Sequence, residues 1–551
     1  MQYGTCSNYP DRCDNAKTQT PVPLSSRTCP LCGKLLRPSG GAREGHALIW
    51  IAAAGVVLAI AASLLLITRG PLSRPGPKPA ASSGGPTPPL SGPLQSGANG
   101  VNPEIMLRLS GSTTIGDAAG PLLVRGWLAT LGANEQSLQS RPVMEVDEKT
   151  RENKEIGEII SGAVNGKAVQ VIIHRRGSGS GFIDLGKDLA DVAMASREIN
   201  SQELTDLKQA GVGELKSHFA ENVIGLDGIA IIVARDNPVK SLSIQQVHDI
   251  FTGRVQNWSE IGGTPGSINR YIRLPGSGTY DSFRDLVLGA DAVHNPTAVI
   301  EDSEQIDARV GADAGAIGFV SSGLVSRSHW VAVGQEGYRR LIPSITTIKT
   351  ENYILRRRLY LYLKETPPRN VNATSFVAYA KSDEGQKRMQ QAGLVDLIPL
   401  PTNGADNGTE GPESRTNCLL SKDYETVYHH SVNALCNLHA RYRKLQTSFY
   451  FDLGSSDLDN LGLDQVKRVV DQIQMAHSRE VILAGFADSS GTSYARNCRL
   501  ALDRAEKVAQ YFYQLQITIS NTISFCSETS LVNSDSNEGL RQNRRVEVYI
   551  E

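Results

Sequence analysis

The sequence predicts a multidomain chain in which α/β and α+β domains follow a single transmembrane helix. Three observations carry that expectation. An uncharged apolar run, ALIWIAAAGVVLAIAASLLLIT from Ala47 to Thr68, has the roughly twenty residues that a helix needs to cross a bilayer. Between 104 and 401, β-rich runs such as IMLRLSG, AVQVIIH, DVAMAS, GIAIIVA, YIRLPG and AIGFVSS alternate with helical patterns, as in an α/β domain with a mostly parallel sheet. Between 445 and 551, SFYFDLG, the helix VKRVVDQIQMAH, the strand VILAGFADSSG, a long helix through LALDRAEKVAQYF and the closing strand NRRVEVYI follow one another.

The 551 residues carry a formal net charge of -1, so no nucleic-acid partner is expected. The apolar run separates a head, 1–37, from everything else. A tether rich in proline, glycine and serine occupies 70–103 and cannot bury a core. A polar connector, 402–444, joins the region 104–401 to the final domain, 445–551. A cleavable signal peptide ending at Ala59–Ala61 is the rival reading of the apolar run. Signal h-regions are shorter, and 46 residues precede this one, which favours a retained anchor over 47–68.

Orientation follows from charge and cysteine. Arg27, Lys34, Arg37 and Arg43 precede the span while Arg69, Arg74 and Lys78 follow it, a small excess that favours a cytoplasmic N-terminus. Cys6, Cys13, Cys29 and Cys32 precede the span, and Cys418, Cys436, Cys498 and Cys526 follow it. Metal-ligand spacing suits a reducing compartment and dispersed cysteines an oxidising one. Cys29-Pro-Leu-Cys32-Gly has the turn of a zinc knuckle, and Cys6 and Cys13 would complete four thiolates around one structural zinc. The head resembles a short zinc ribbon. With all four positions closed, the metal would stabilise a segment too small for its own core.

Three loops in the middle region combine glycine with hydroxyl residues where strand gives way to helix: Ser110–Thr114, Gly177–Gly181 and Pro275–Thr279. Free N–H groups and small hydroxyls at such places bind anions. No nucleotide-binding P-loop pattern is present, and the histidines of the region are scattered, so neither nucleotide hydrolysis nor another enzymatic activity is expected.

The motifs SGSTTIGD, GSGSG, LADVAMASREI, FTGRVQNWSEIGG, RLPGSGTYDSF, GAIGFV and SFVAYAKSDEGQKRMQQAG make 104–401 resemble phosphate-binding proteins of the Pst transporter type. That resemblance implies a two-lobed type II periplasmic binding fold with an oxyanion held between the lobes. The implied anion-binding residues are Ser112, Thr113, Thr114, Ser178, Ser180, Ser196, Arg197, Arg273, Ser277, Gly278 and Thr279. Arg197 departs from the aspartate that some relatives place after Ala-Ser to accept the proton of hydrogen phosphate. A guanidinium cannot accept a hydrogen bond, so phosphate, sulfate and other small oxyanions all remain open.

The final domain resembles the OmpA-like peptidoglycan-binding domain, a βαβα(β)β fold. Gly485, Asp488 and Gly491 meet its loop pattern; Asn497, Leu500, Arg504, Ala505 and Val508 meet its helix pattern; and NRRVEV closes it. Ala487 stands where threonine is usual. The resemblance implies that Asp488, Asn497 and Arg504 bind the diaminopimelate side chain of the stem peptide. A carboxylate for the ammonium and a guanidinium for the carboxylate are the minimal complement to that zwitterion. The four cysteines permit three connectivities; their positions favour Cys498–Cys526 and Cys418–Cys436. Peptidoglycan lies outside the inner membrane, so the bulk of the chain is expected in the periplasm, on a single-pass inner-membrane anchor. The leading expectation is a non-enzymatic protein that captures or senses phosphate or a similar oxyanion at the cell wall. The alternative is a structural membrane-to-wall tether whose middle domain binds no small molecule.

Overall fold

A computed structural model describes residues 3–6, 22–23, 36–38, 102–146, 153–275, 277–300, 302–336, 340–366, 369–402, 429–488, 493–527 and 541–551. In the N-terminal unit, Tyr3–Cys6 is the centre of a three-stranded antiparallel sheet between Val22–Pro23 and Leu36–Pro38. Cys13, Cys29 and Cys32 lie outside the described residues, as do the apolar run 47–68 and the tether. Among the described residues, no helix is long and apolar enough to cross a membrane.

The middle domain is built on one long sheet. Its strands run in the order Ala298–Ile300, Asn269–Arg273, Ala316–Ser321, Glu221–Val233, Arg356–Leu363, Val192–Ala195, Glu104–Gly111, Lys167–His174, Asn153–Val164 and Gln139–Val146. Every β-rich run noted in the sequence overlaps one of these strands. The sheet is mixed rather than mostly parallel, for two reasons. The hairpin Gln139–Val146 with Asn153–Val164 adds antiparallel pairs at one edge. Two long central strands, Glu221–Val233 and Arg356–Leu363, also run antiparallel to each other.

Those two strands join the lobes. The first half of Glu221–Val233 pairs with Arg356–Tyr362, and its second half pairs with Ala316–Ser321 in the other lobe. The first lobe packs Leu107, Trp127, Val171, Ile173 and Met194 against Leu361, Phe376 and Val377. The second packs Phe251, Phe283, Phe319 and Ile348; the rings of Phe283 and Phe319 stack at 3.9 Å between centroids. Helix starts follow local chemistry. Asn200 with Glu203, and Ser243 with Gln246, form reciprocal capping boxes before Ser201–Gln209 and Ile244–Phe251.

The C-terminal domain has a four-stranded sheet in the order Arg443–Tyr450, Arg545–Ile550, Val481–Gly485, Asn521–Ser524. Helices Asn460–Met475 and Tyr494–Gln514 complete the expected βαβαββ sequence. In the long helix Asn497, Ala501, Arg504, Ala505, Val508, Ala509 and Phe512 are buried, the spacing of a single helical face. A helix at His429–Arg441 lies in the stretch expected to be a polar connector. Its Leu438 packs with Ile482, Phe486, Phe525 and Tyr549.

Cys498 and Cys526 form a disulfide with a sequence separation of 28, as their positions suggested. Cys418 and the side chain of Cys436 lie outside the description. Closing a loop of that length is worth about 3–4 kcal/mol in the chain-entropy account. Reduction is therefore expected to lower the urea midpoint of the C-terminal domain, followed by pulse proteolysis. An unchanged midpoint would show that the crosslink contributes nothing to its stability.

Candidate functional site

The three glycine-hydroxyl loops meet at the junction of the lobes. Gly111, at φ +133°, ends its strand so close to the next that an added Cβ would sit 2.1 Å from the Met194 carbonyl. The chain then turns, and Ser112 N–H donates to Met194 O at 2.8 Å. The second loop joins at the same place: Gly177 N–H donates to Gly111 O at 2.9 Å, and Ser196 N–H donates to Ser178 Oγ at 3.1 Å. Ser112, Ser178 and Ser196 are all buried.

The third loop comes from the other lobe. Ser277 caps the helix Gly278–Phe283 by accepting from Tyr280 N–H at 3.3 Å. Gly278 N–H donates to Thr113 Oγ1 across the cleft. An added Cβ at Gly278 would sit 2.4 Å from Thr114 Oγ1, so a larger residue would force that side chain to shift. Arg273 donates to Ser303 Oγ and lies close enough to Asp117, just past the first loop, to act on it electrostatically.

The central cation is one that sequence reasoning missed. Arg357 is buried on the joining strand and donates to Asp227 Oδ2 at 2.9 and 2.6 Å. Its Nη2 also reaches Thr114 Oγ1 of the first lobe at 3.0 Å and Thr279 Oγ1 of the second at 3.3 Å. Its Nη1 donates to Gly278 O and to Ser282 Oγ at 2.6 Å. Asp227 is completed by Ser321 Oγ–H at 2.7 Å. Three consecutive arginines, Arg356–Arg358, match no motif; their place on a strand running into LYLYL was the available signal.

Two expected residues are engaged elsewhere. Arg197 forms a two-pronged pair with Glu203 at 2.7 and 2.8 Å, and that hydrogen bond raises its pKa. Ser180 Oγ–H closes its own loop on Gly177 O at 2.8 Å. The groups brought together are thus Ser112, Thr113, Thr114, Ser178 and Ser196 from one lobe, with Ser277, Gly278 and Thr279 from the other. Arg357 spans them and Arg273 lies beside them.

In the C-terminal domain, Asp488 and Asn497 are buried and Arg504 is fully enclosed. Arg504 donates to three carbonyls, Ser455 O at 3.0 Å, Phe486 O at 3.2 Å and Asp452 O at 3.3 Å. Burial and the neighbouring Arg544 push its guanidinium down to about 10, with Asp488 opposing; it stays charged at neutral pH. Asp488 pairs with Arg544 at 3.0 Å. Arg544, from the closing NRRVEV segment, therefore belongs to this cluster. Arg545 instead pairs with Glu547 at 2.8 Å. Asn497 donates weakly to Ser527 Oγ at 3.4 Å, beside the disulfide.

Comparison with known proteins agrees with this division of the chain. The family model of the PBP superfamily domain matches residues 161–384, and that of the OmpA family matches 450–545. Protein SphX of Synechococcus elongatus is 24% identical over 255 residues, covering 44% of this chain and 73% of that protein. The phosphate-binding protein PstS of Staphylococcus saprophyticus is 27% identical over 243 residues, covering 43% and 74%. Among solved structures, a putative phosphate ABC transporter substrate-binding protein from Clostridium perfringens aligns with a TM-score of 0.37 at 26% identity, covering 53% of this chain and 98% of its own. The periplasmic domain of Helicobacter pylori MotB aligns with a TM-score of 0.18 at 21% identity, covering 20% and 74%. The chain thus carries a type II PBP-like domain similar to PstS proteins, followed by an OmpA domain.

Because Asp227 is only 1% exposed, removing its cation leaves a buried, uncompensated carboxylate. Arg357→Met is expected to destabilise the middle domain by about 3–5 kcal/mol. Combining it with Asp227→Asn should recover part of that loss in a denaturant double-mutant cycle. Purely additive effects would show that the two side chains do not depend on one another.

Proposed function

We propose that this chain is a non-enzymatic periplasmic protein that captures or senses phosphate or a similar oxyanion while holding the cell wall. The observation that carries the reading is the meeting of Thr113 and Thr114 from one lobe with Gly278 and Thr279 from the other, around buried Arg357. Hydroxyls and backbone N–H groups beside two guanidiniums suit a tetrahedral oxyanion. The phosphate-binding names of the relatives support the same ligand class. With Arg197 committed to Glu203, no carboxylate replaces the missing proton acceptor at that position, so sulfate remains a serious competitor.

The C-terminal domain, on this reading, binds the diaminopimelate side chain of the peptidoglycan stem peptide through Asp488, Asn497 and Arg504. The apolar run 47–68 anchors the chain in the inner membrane, with the head in the cytoplasm and the bulk in the periplasm. Cys6, Cys13, Cys29 and Cys32 hold a structural zinc. The backbone pairing of Cys6 with Leu36, four residues past Cys32, supports that last element.

One observation favours the tether reading instead. Arg357 already donates to both Thr114 and Thr279, hydroxyls that an anion would otherwise use.

Calorimetric titration of the chain with phosphate and sulfate separates the two. Saturable binding that weakens about 10–100-fold in Arg273→Ala, the loss of a charged hydrogen bond, supports capture; no heat with either anion supports the tether. For the wall site, muropeptides carrying diaminopimelate are expected to bind. Those carrying lysine, which lacks the second carboxylate, should bind about 10-fold or more weakly. Equal affinity for both would remove the zwitterion-specific reading.

A further inference from the structure

The C-terminal domain is seated across both lobes of the middle domain, on the side of the joining strand away from the anion loops. Arg357 and Arg358 are neighbours on that strand, and successive strand side chains point to opposite faces. Arg357 reaches the loops; Arg358 donates to Asp459 of the C-terminal domain at 2.8 Å and to Glu351 at 3.0 and 2.6 Å. Asp459 also accepts from Arg541 at 2.9 Å.

On the second-lobe side, Gln446 donates to Thr346 Oγ1 at 2.8 Å, and Tyr450 O–H donates to Thr350 O. Glu351, in the same segment, is held in the left-handed region at φ +52°. On the first-lobe side, Asp464 pairs with Lys381 at 2.6 Å and with His218 at 2.9 Å. Leu461 is part of the middle domain's own buried cluster. A body fastened to both lobes and to the strand between them resists any change in the angle of the lobes.

We infer that seating of the C-terminal domain and closure of the lobes on an anion are coupled, so that anion occupancy is transmitted to the wall-binding domain. This rests on the proposed capture function. Its sign follows from the geometry: the seated domain accompanies loops already in contact across the cleft, through Gly278 and Thr113. Seating therefore favours the closed lobes, and by linkage an anion that favours closure tightens seating by the same factor.

The test uses the whole chain and inorganic phosphate. Asp459→Asn removes the charge that holds Arg358 and Arg541, yet asparagine still caps the helix that Asp459 starts by accepting from Gly462 N–H. Lys381→Met removes one of the two first-lobe partners of Asp464. Neither position touches the anion loops, yet each variant is expected to raise the phosphate Kd about fivefold or more. Unchanged affinity in both variants overturns the coupling and leaves capture intact. Wild-type chain that binds neither phosphate nor sulfate overturns capture, and the coupling with it; if it binds sulfate alone, the same variants are titrated with sulfate. Should either variant fail to fold, hydrogen exchange on the wild type decides. Residues 345–352 and 459–466 are expected to exchange more slowly with phosphate present, and identical exchange overturns the coupling.

Discussion

The buried pair between Asp227 and Arg357 is the interaction on which the rest of the middle domain depends. It ties together the two antiparallel strands that join the lobes, at a point where neither charge can reach water. An isolated carboxylate there would be costly, so the guanidinium is held in one orientation. Its remaining donors are then aimed at Thr114, Gly278, Thr279 and Ser282. The same strand, by alternation, turns Arg358 toward Glu351 and Asp459. One stretch of backbone thus serves the candidate anion site on one face and the domain contact on the other.

The wall-binding domain uses a comparable economy. One face of its long helix carries both core residues and the candidate ligand residues, since Asn497 and Arg504 share the buried stripe with Ala501, Ala505 and Val508. Arg504 is positioned by three carbonyls, while Arg544 fixes Asp488. The disulfide lies next to this cluster. Cys498 follows Asn497 in the helix, and Cys526 O accepts from Ala487 N–H at 2.7 Å, one residue before Asp488. Crosslink, helix and loop therefore constrain one another around the place where a ligand would enter.

Much of this was legible in the sequence, because local patterns dictate local structure. The six β-rich runs, the long amphipathic helix and the glycine-hydroxyl loops all have short-range signatures, whereas the Cys498–Cys526 pairing was one of three connectivities left open. What was not legible depends on long-range pairing. Arg357 gains its role only when Glu221–Val233 and Arg356–Leu363 lie side by side, and three arginines in a row hint at burial only through the LYLYL that follows them. Arg197 sits where the motif predicts, but Glu203, six residues on, captures it. Arg544 joins the candidate site only because the fold brings Asp488 to it. The seating of one domain on the other was invisible, since Thr346, Asp459 and Asp464 belong to no motif and Lys381 lies in one that says nothing of a second domain.

The central claim is that an oxyanion occupies the junction of the lobes, and a crystal structure of the chain grown with phosphate tests it most directly. The account predicts tetrahedral density bounded by Thr113, Thr114, Ser178, Ser277, Gly278 and Thr279, with Arg273 on the anion and Arg357 still paired to Asp227. An Arg357 side chain filling that position, with no anion between the loops, would contradict it.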